Sequence, residues 1–249
     1  MSSVALLRSL LPASIAGNSV ALGADVAAQG ALRARALPLD FHGVDALLPD
    51  GGVPRGAVVE LASPGGLARA TTLALAVCAA AQREATARGG AASAGAWCAW
   101  IEGAGSLFAP AAARAGVDLA RLLVVRPPRA DEGRGASERP RDLLGRVAVR
   151  VASSRVFSIV VVDAAGVPGA LARERLDRWS TAVRRLALAV EGSDTSVLLL
   201  TDSRARRSLP LPVAMRIELE RPAFDRVALR IAKERGGRVS TSSALAIPA

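Results

Sequence analysis

Apolar runs of strand length alternate with helical segments along most of the chain, and this alternation constrains the fold more than any other feature. The runs at Val58–Ala62, Phe157–Asp163 and Ser196–Thr201 are almost continuously apolar, which is typical of strands buried on both faces. Helical segments such as Thr71–Ala87 and Ala170–Val190 separate these runs. The pattern predicts an α/β fold with a mostly parallel sheet and helices on both of its faces.

The remaining elements continue this pattern. Further strands are predicted at Ala96–Glu102, Leu122–Val125, Ala214–Glu220 and Arg226–Ala232, and further core helices at Leu107–Ala115 and Asp142–Ser154. The last two strands alternate apolar and polar residues, which indicates an antiparallel pair at an edge of the sheet.

Both ends of the chain differ from this core. Residues 1–38 contain the helical runs Ser3–Leu11 and Ala24–Ala36 and are predicted to form an N-terminal helical arm. The core covers residues 39–235, and residues 236–249 form a small, polar tail. The arm carries an apolar stripe that suits docking on a second copy or on a partner, or packing back on its own core.

Composition narrows the classes of function. The net charge is +10, and Lys233 is the only lysine among the 32 basic residues. A positive balance suits a phosphate-bearing partner such as nucleic acid, and it also serves solubility. His42 is the only histidine, and Cys78 and Cys98 lack metal-ligand spacing, which argues against a zinc site or a Ser–His triad. Buried thiols in a reducing cytoplasm, with no membrane span, are expected.

The segment between the first buried strand and the first core helix lies where a phosphate-binding loop is expected. Such a loop reads G-x-x-x-x-G-K-[ST], in which Lys contacts phosphate and the hydroxyl binds Mg²⁺. Here Ala68 replaces the second glycine, Arg69 replaces the lysine and Ala70 replaces the hydroxyl residue. The segment therefore lies where a phosphate-binding loop is expected, but it lacks the lysine, the hydroxyl residue and the second glycine on which phosphate and Mg²⁺ binding depend.

Some binding capacity is retained in this loop. Gly65 and Gly66 can form a backbone concavity for an anion at a helix N-terminus. Thr71 and Thr72 offer hydroxyls next to Ala70. These residues and Arg69 leave weak nucleotide binding open, and a purely structural turn is the alternative.

Several blocks in this order resemble RecA-type recombinases. They are Val44–Gly56, the damaged loop, Ile101–Pro127, Ser158–Gly166 and Ser196–Arg204, within about residues 40–235. The block AGVDLARLLVVRPP, Ala115–Pro128, is similar to the ImuA family, which is related to RecA and assists bacterial mutagenic translesion synthesis. The resemblance implies a RecA-like ATPase core. It also implies DNA, an ImuB-type Y-family-like polymerase protein, an error-prone replicative-type polymerase and RecA as partners, with self-association through residues 1–38.

The resemblance also implies site residues. Asp163 ends a hydrophobic strand and matches the Walker B aspartate, which would hold Mg²⁺. The position of the water-orienting glutamate is Ala104, and Glu102, two residues earlier on the same strand face, is a candidate catalytic substitute. Thr201 and Asp202 stand where RecA proteins carry a glutamine that senses γ-phosphate.

Basic residues form two candidate DNA contacts. Arg204, Arg206 and Arg207 follow Thr201 in a short loop that resembles a DNA-binding loop of RecA by position. Arg175, Arg178 and Arg185 share one side of the long helix. Arginines of this kind contact phosphates with little sequence preference, and a solvated helix face is the alternative for the second set.

The resemblance implies an accessory factor of damage-induced translesion DNA synthesis, within the SOS response, that binds DNA and polymerase partners. ATP and Mg²⁺ would bind weakly. A DNA-stimulated weak ATPase with a non-standard loop is the first alternative. A protein-binding inhibitor resembling SulA, which needs no DNA, is the second.

Overall fold

The structure is a computed structural model that describes residues 36–41, 43–64, 70–88, 96–127, 140–164, 176–203, 211–223, 226–235, 237, 239 and 243–246. The side chains of residues 140–142, 176–178, 221–223 and 243–246 lie outside this description. The predicted arm helices within residues 1–35 also lie outside the described residues.

The secondary-structure elements follow the predicted order. The strands are β1 Ala36–Leu37, β2 Val53–Pro54, β3 Val58–Ser63, β4 Trp97–Glu102, β5 Leu122–Val125, β6 Phe157–Asp163, β7 Ser196–Asp202, β8 Met215–Ala223, β9 Arg226–Glu234 and β10 Ser243–Ala246. The helices are α1 Ala70–Ala87, α2 Ala109–Arg114, α3 Pro140–Ser153 and α4 Leu176–Val190. Short 3-10 turns lie at Asp45–Leu47 and Leu119–Arg121.

The strands β3 to β10 form one eight-stranded sheet in the order β10-β9-β8-β3-β7-β6-β4-β5. Every pairing from β8 to β5 in that order is parallel. β9 pairs antiparallel with β8, and β10 pairs antiparallel with β9. The predicted mostly parallel α/β sheet with antiparallel edge strands is therefore confirmed.

Alternate residues of the central strands face two separate hydrophobic cores. Val59, Leu61 and Val161 join the core that contains α1. Val58 and Val160 join the core that contains α3 and α4. Because strand side chains alternate between faces, helices on both sides are needed to bury runs that are apolar at every position. Among the described residues, no helix has the length and apolar character to cross a membrane.

Two details of the sequence prediction were wrong. Ala36, predicted to end a helix, lies in β1, where it pairs antiparallel with Pro54 of β2. The predicted tail contains a strand, because Ser243–Ala246 hydrogen-bonds to the backbone groups that β9 would otherwise leave unpaired. The domain boundaries at residues 38 and 235 stay predictions.

The opposite edge of the sheet is β5, which pairs with β4 on one side. Its burial is incomplete, since the side chain of Leu123 is 42% exposed and that of Val124 is 38% exposed. Trp97, at the start of the neighbouring strand β4, is also exposed. This edge is therefore the most apolar exposed strand surface among the described residues.

Glycine is required just before β3 for two separable reasons. Gly56 has φ +64°, and a Cβ there would lie 2.7 Å from the backbone oxygen of Ser193. Gly51 has a similar φ of +69°, but a Cβ there would meet nothing within 4 Å. A substitution at Gly51 therefore measures the cost of the left-handed conformation alone. A substitution at Gly56 measures that cost together with the clash against Ser193.

We expect Gly51→Ala to destabilise the protein by about 1–2 kcal/mol, the cost of a left-handed L-residue. Gly56→Ala adds a backbone clash and should cost about 1–3 kcal/mol more. Urea unfolding followed by circular dichroism measures both variants. Equal midpoints for the two variants would contradict the role given to the Gly56–Ser193 approach.

Candidate nucleotide site

The parallel register brings the polar ends of several strands together. Glu102 of β4 is aligned with Asp163 of β6, and Ser63 of β3 is aligned with Asp202 of β7. By strand alternation all of these residues belong to the sheet face that α1 covers. The first residue of α1 is Ala70, so the N-terminus of this 18-residue helix follows the same ends of the strands.

A serine hydroxyl connects the two carboxylates at the ends of β4 and β6. Ser106 Oγ lies 2.6 Å from Asp163 Oδ2 and 3.1 Å from Glu102 Oε2. Asp163 and Glu102 are buried, whereas Ser106 is exposed. The hydroxyl therefore stands between the solvent and the buried carboxylates.

Glu102 is held by further donors. The backbone N–H of Leu107 donates to Glu102 Oε2 at 2.7 Å, and Arg126 Nε donates to Glu102 Oε1 at 2.7 Å. The Arg126 side chain is 59% exposed, so its guanidinium compensates a fully buried carboxylate from the surface. Ala104, the position matched to the water-orienting glutamate, lies exposed in the turn after β4. The catalytic role of Glu102 stays a prediction.

Thr201 belongs to a buried polar network on the opposite face of the sheet. Its hydroxyl donates to Glu60 Oε1 at 2.8 Å, and Arg216 Nη1 donates to the same oxygen at 3.0 Å. Arg216 Nε also contacts Glu218 Oε1 at 3.1 Å, and Arg230 pairs with Glu218. Thr201 therefore fixes strand β7 to strand β3 at the position matched to the γ-phosphate sensor.

The network leaves Glu60 imperfectly satisfied. Within the part of the chain that the structure describes, no hydrogen-bond partner reaches the buried Glu60 Oε2. Burial raises the pKa of Glu60, and the nearby Arg216 and the Thr201 hydroxyl oppose that shift. The carboxyl therefore carries a desolvation cost that its partners only partly offset.

The remaining predicted site residues are placed as follows. Thr71 is exposed and Thr72 half-buried in the first turn of α1, and Arg185 is exposed on α4. Arg178 belongs to α4, but its side chain lies outside the described part of the chain. Gly65, Gly66, Arg69, Arg175, Arg204, Arg206 and Arg207 also lie outside the described residues.

The sequence did not indicate Ser106, Arg126, or the buried network in which Arg216 and Thr201 contact Glu60. A polar residue inside an apolar strand, such as Glu60, is a signal that a buried partner is needed. Ser106 offered no comparable signal, because its contact with Asp163 joins residues far apart in the chain.

The two cysteines lie in the core away from this site. Cys78 and Cys98 are both buried and free, and Cys98 Sγ donates to the Cys78 carbonyl oxygen at 3.8 Å. The contact with Cys98 and burial raise the pKa of the Cys78 thiol well above its usual value. Both observations fit the predicted buried structural thiols.

A surface groove of about 390 Å³ lies elsewhere on the core. It is lined by the beginning of β3, including Val58, and by Arg184, Leu188 and Glu191 at the end of α4. Because it borders the amino-terminal end of β3, it is separate from the carboxylates at the other ends of the strands.

The donor set at the strand ends is suited to a hard cation. Among the described residues, no group of His, Cys, Asp and Glu is large enough to hold a metal by itself. Mg²⁺ is usually held by one or two carboxylates, with water and phosphate oxygens completing its shell. Asp163, with the hydroxyl of Ser106 beside it, fits that role for the metal that the resemblance implies.

Comparison with known proteins supports the resemblance at a coarse level. No protein-family model matches the chain. Over 171 residues the chain is 32% identical to the RecA protein of Rhizobium leguminosarum bv. viciae. The mostly parallel α/β fold of the core is consistent with a RecA-like fold. The matched region is 66% of this chain and 44% of that RecA, so the chain spans less than half the length of this relative.

The buried carboxyl of Glu60 generates a prediction about pH. Its pKa is raised in the folded state, so its favourable contribution is fully present below the unfolded value and is lost as pH rises through the folded pKa. We expect the stability of the wild type relative to Glu60→Gln to fall as pH rises above 4.5. The slope is at most about 1.4 kcal/mol per pH unit.

Chemical unfolding at several pH values between 4.5 and 8 measures this difference in free energy. The same substitution at the exposed Glu220 is the matched control. A stability difference between wild type and Glu60→Gln that rises with pH would show that the Arg216 contact outweighs burial.

Proposed function

We propose that this protein is an accessory factor of damage-induced translesion DNA synthesis, of the ImuA type, that binds DNA and polymerase partners. One observation carries the proposal: the similarity to RecA covers a core in which the strand ends are retained while the phosphate-loop chemistry is altered. A scaffold of this kind suits binding more than rapid hydrolysis. The proposed location is the cytoplasm.

The altered loop argues against rapid hydrolysis. Arg69 and Ala70 stand where a working loop has Lys and a hydroxyl residue, and Ala104 stands where the glutamate is expected. Removing donors that stabilise transition-state charge costs several kcal/mol, and a loss of about 10³-fold in rate corresponds to about 4 kcal/mol. Thr201 is bonded to Glu60, which suits a structural role in place of nucleotide sensing.

A weak DNA-stimulated ATPase is the second candidate function, and one observation favours it. Asp163 stands at the end of β6 with Glu102 beside it, on the face covered by α1. In that reading Asp163 holds Mg²⁺, and Gly65, Gly66, Arg69, Thr71 and Thr72 contact nucleotide. Glu102 would then be the catalytic residue.

DNA is the proposed polyanionic partner because the chain has a net charge of +10 and an arginine-rich sequence after β7. The proposed contacts are Arg204, Arg206 and Arg207, together with Arg175, Arg178 and Arg185. The proposed protein partners are an ImuB-type Y-family-like polymerase protein, an error-prone replicative-type polymerase and RecA. Residues 1–38 are the proposed surface for self-association.

We expect no ATP turnover above background in the full-length protein, with or without single-stranded DNA. A coupled assay for ADP release, run on wild type and Asp163→Ala, checks this. Turnover that single-stranded DNA stimulates and Asp163→Ala abolishes would replace the accessory-factor proposal with the weak ATPase. A DNA-independent rate shared by both proteins would indicate a contaminating enzyme.

We expect DNA affinity to depend on the arginine-rich sequence that follows β7. Replacing Arg204, Arg206 and Arg207 together by Ala should reduce the slope of log affinity against log salt by about 2, since each single-strand phosphate contact contributes about 0.7. Fluorescence anisotropy with a labelled oligonucleotide measures the slope. Replacing the exposed Arg88, Arg114 and Arg226 in the same way is the matched control for net charge.

Equal slopes for the two triple variants would place the DNA contact elsewhere. Undetectable DNA binding by the wild type at low salt would favour the protein-binding inhibitor that resembles SulA. Pull-down with the purified polymerase partners then separates the inhibitor from the accessory factor.

A further inference from the structure

The first helix of the core lacks the hydroxyl that a phosphate-binding loop places beside the strand-end aspartate. Ala70 is the first residue of α1 and has only a methyl side chain. In a working loop, Ser or Thr at this position binds the Mg²⁺ that accompanies nucleotide. Position 70 therefore offers no hydroxyl, and the hydroxyls of α1 nearest to it are those of Thr71 and Thr72.

A hydroxyl reaches the same aspartate from a different element. The chain turns after β4 at Gly105, whose φ of +71° is readily adopted only by glycine. The next residue, Ser106, places Oγ 2.6 Å from Asp163 Oδ2. Ser106 is exposed, so its hydroxyl is accessible to a ligand from solvent.

The two oxygen–oxygen distances indicate that the Ser106 hydroxyl donates its proton to Asp163 rather than to Glu102. A serine hydroxyl carries one proton, and the distance of 2.6 Å to Asp163 is shorter than the 3.1 Å to Glu102. Glu102 already accepts from the Leu107 N–H and from Arg126. The Ser106 hydroxyl therefore orients Asp163, and its oxygen keeps lone pairs that can accept from a cation's water.

We propose that Ser106 replaces the missing hydroxyl of Ala70 as the positioning residue of this nucleotide site. It orients the carboxylate of Asp163 toward the divalent cation that accompanies a bound nucleoside diphosphate. This inference rests on the weak nucleotide binding included in the proposed function. It does not depend on hydrolysis, DNA or protein partners.

The test compares nucleotide affinity with and without the cation in the full-length protein. The affinity for N-methylanthraniloyl-ADP is measured by fluorescence titration, once in Mg²⁺ and once in EDTA. The ratio of the two dissociation constants is the enhancement that the cation provides. Removing a residue that hydrogen-bonds to a metal ligand typically lowers the affinity for the metal by about 10–100-fold.

We expect Ser106→Ala to reduce this enhancement about tenfold and to leave the affinity in EDTA unchanged. Ser106→Thr keeps a hydroxyl and should keep the enhancement. Adding Ala70→Ser to Ser106→Ala should restore it, because the hydroxyl returns from the helix. Ser154→Ala is the matched control, because among the described residues its hydroxyl bonds to the Val151 carbonyl and the Val156 N–H, away from Asp163.

The proposal is overturned if Mg²⁺ gives no enhancement in the wild type, or if Ser106→Ala retains the wild-type enhancement. It is also overturned if Ser106→Thr and the double variant both lack the enhancement, since the hydroxyl would then not be the cause. Circular dichroism confirms that each variant is folded. The accessory-factor proposal is tested separately. It fails if the protein binds neither DNA nor the polymerase partners, and that result does not depend on how Mg²⁺ changes nucleotide affinity.

Discussion

The parallel alignment of β3, β7, β6 and β4 is the constraint on which the rest of the structure depends. Parallel strands with in-register pairing end at the same side of the sheet, so residues distant in sequence become neighbours there. This is why Ser63, Glu102, Asp163 and Asp202 form one group. The helix α1 follows β3 at this side of the sheet, and the candidate roles of Asp163 and Glu102 in nucleotide binding follow from the strand alignment.

The strand alignment produces two polar clusters, one open to solvent and one buried. The cluster of Ser106, Asp163 and Glu102 opens to solvent, because Ser106 and Arg126 are exposed. The cluster of Glu60, Thr201 and Arg216 is closed within the other face of the sheet. A buried ion pair contributes little net stability, but removing one partner leaves an uncompensated charge. The closed cluster therefore links β7 and β8 to β3 at little net gain in stability, and loss of one partner is costly.

Much of the fold could be predicted because its signals are local. Continuous apolar runs such as Phe157–Asp163 are sufficient to predict buried parallel strands, and Asp163 could be placed at a strand end from the same run. Ala36 and Ser243–Ala246 could not be placed, because their strands are defined by backbone partners elsewhere rather than by their own side chains.

The sequence predicted where the candidate site lies in the fold, but only some of the residues that form it. The order of the strands brought Glu102 and Asp163 together, as their common place at strand ends indicates. Ser106 and Arg126 could not be assigned, because short polar turn residues and surface arginines are common and their contacts depend on the folded backbone. The same reason applies to Arg216, whose partner Glu60 lies 156 residues away in sequence.

The edge strand β5, which within the described part of the chain pairs with β4 alone, has a consequence for the behaviour of the protein at high concentration. Its outward backbone groups and its exposed Leu123 and Val124 form a template on which another extended chain can add. Arg121 and Arg126 flank this short strand but are paired with Asp118 and Glu102, so it is the net charge of +10 that makes the approach of a second copy unfavourable at low ionic strength. Salt that screens this repulsion therefore promotes association through the same surface, so buffer composition alone can determine the tendency of the protein to aggregate.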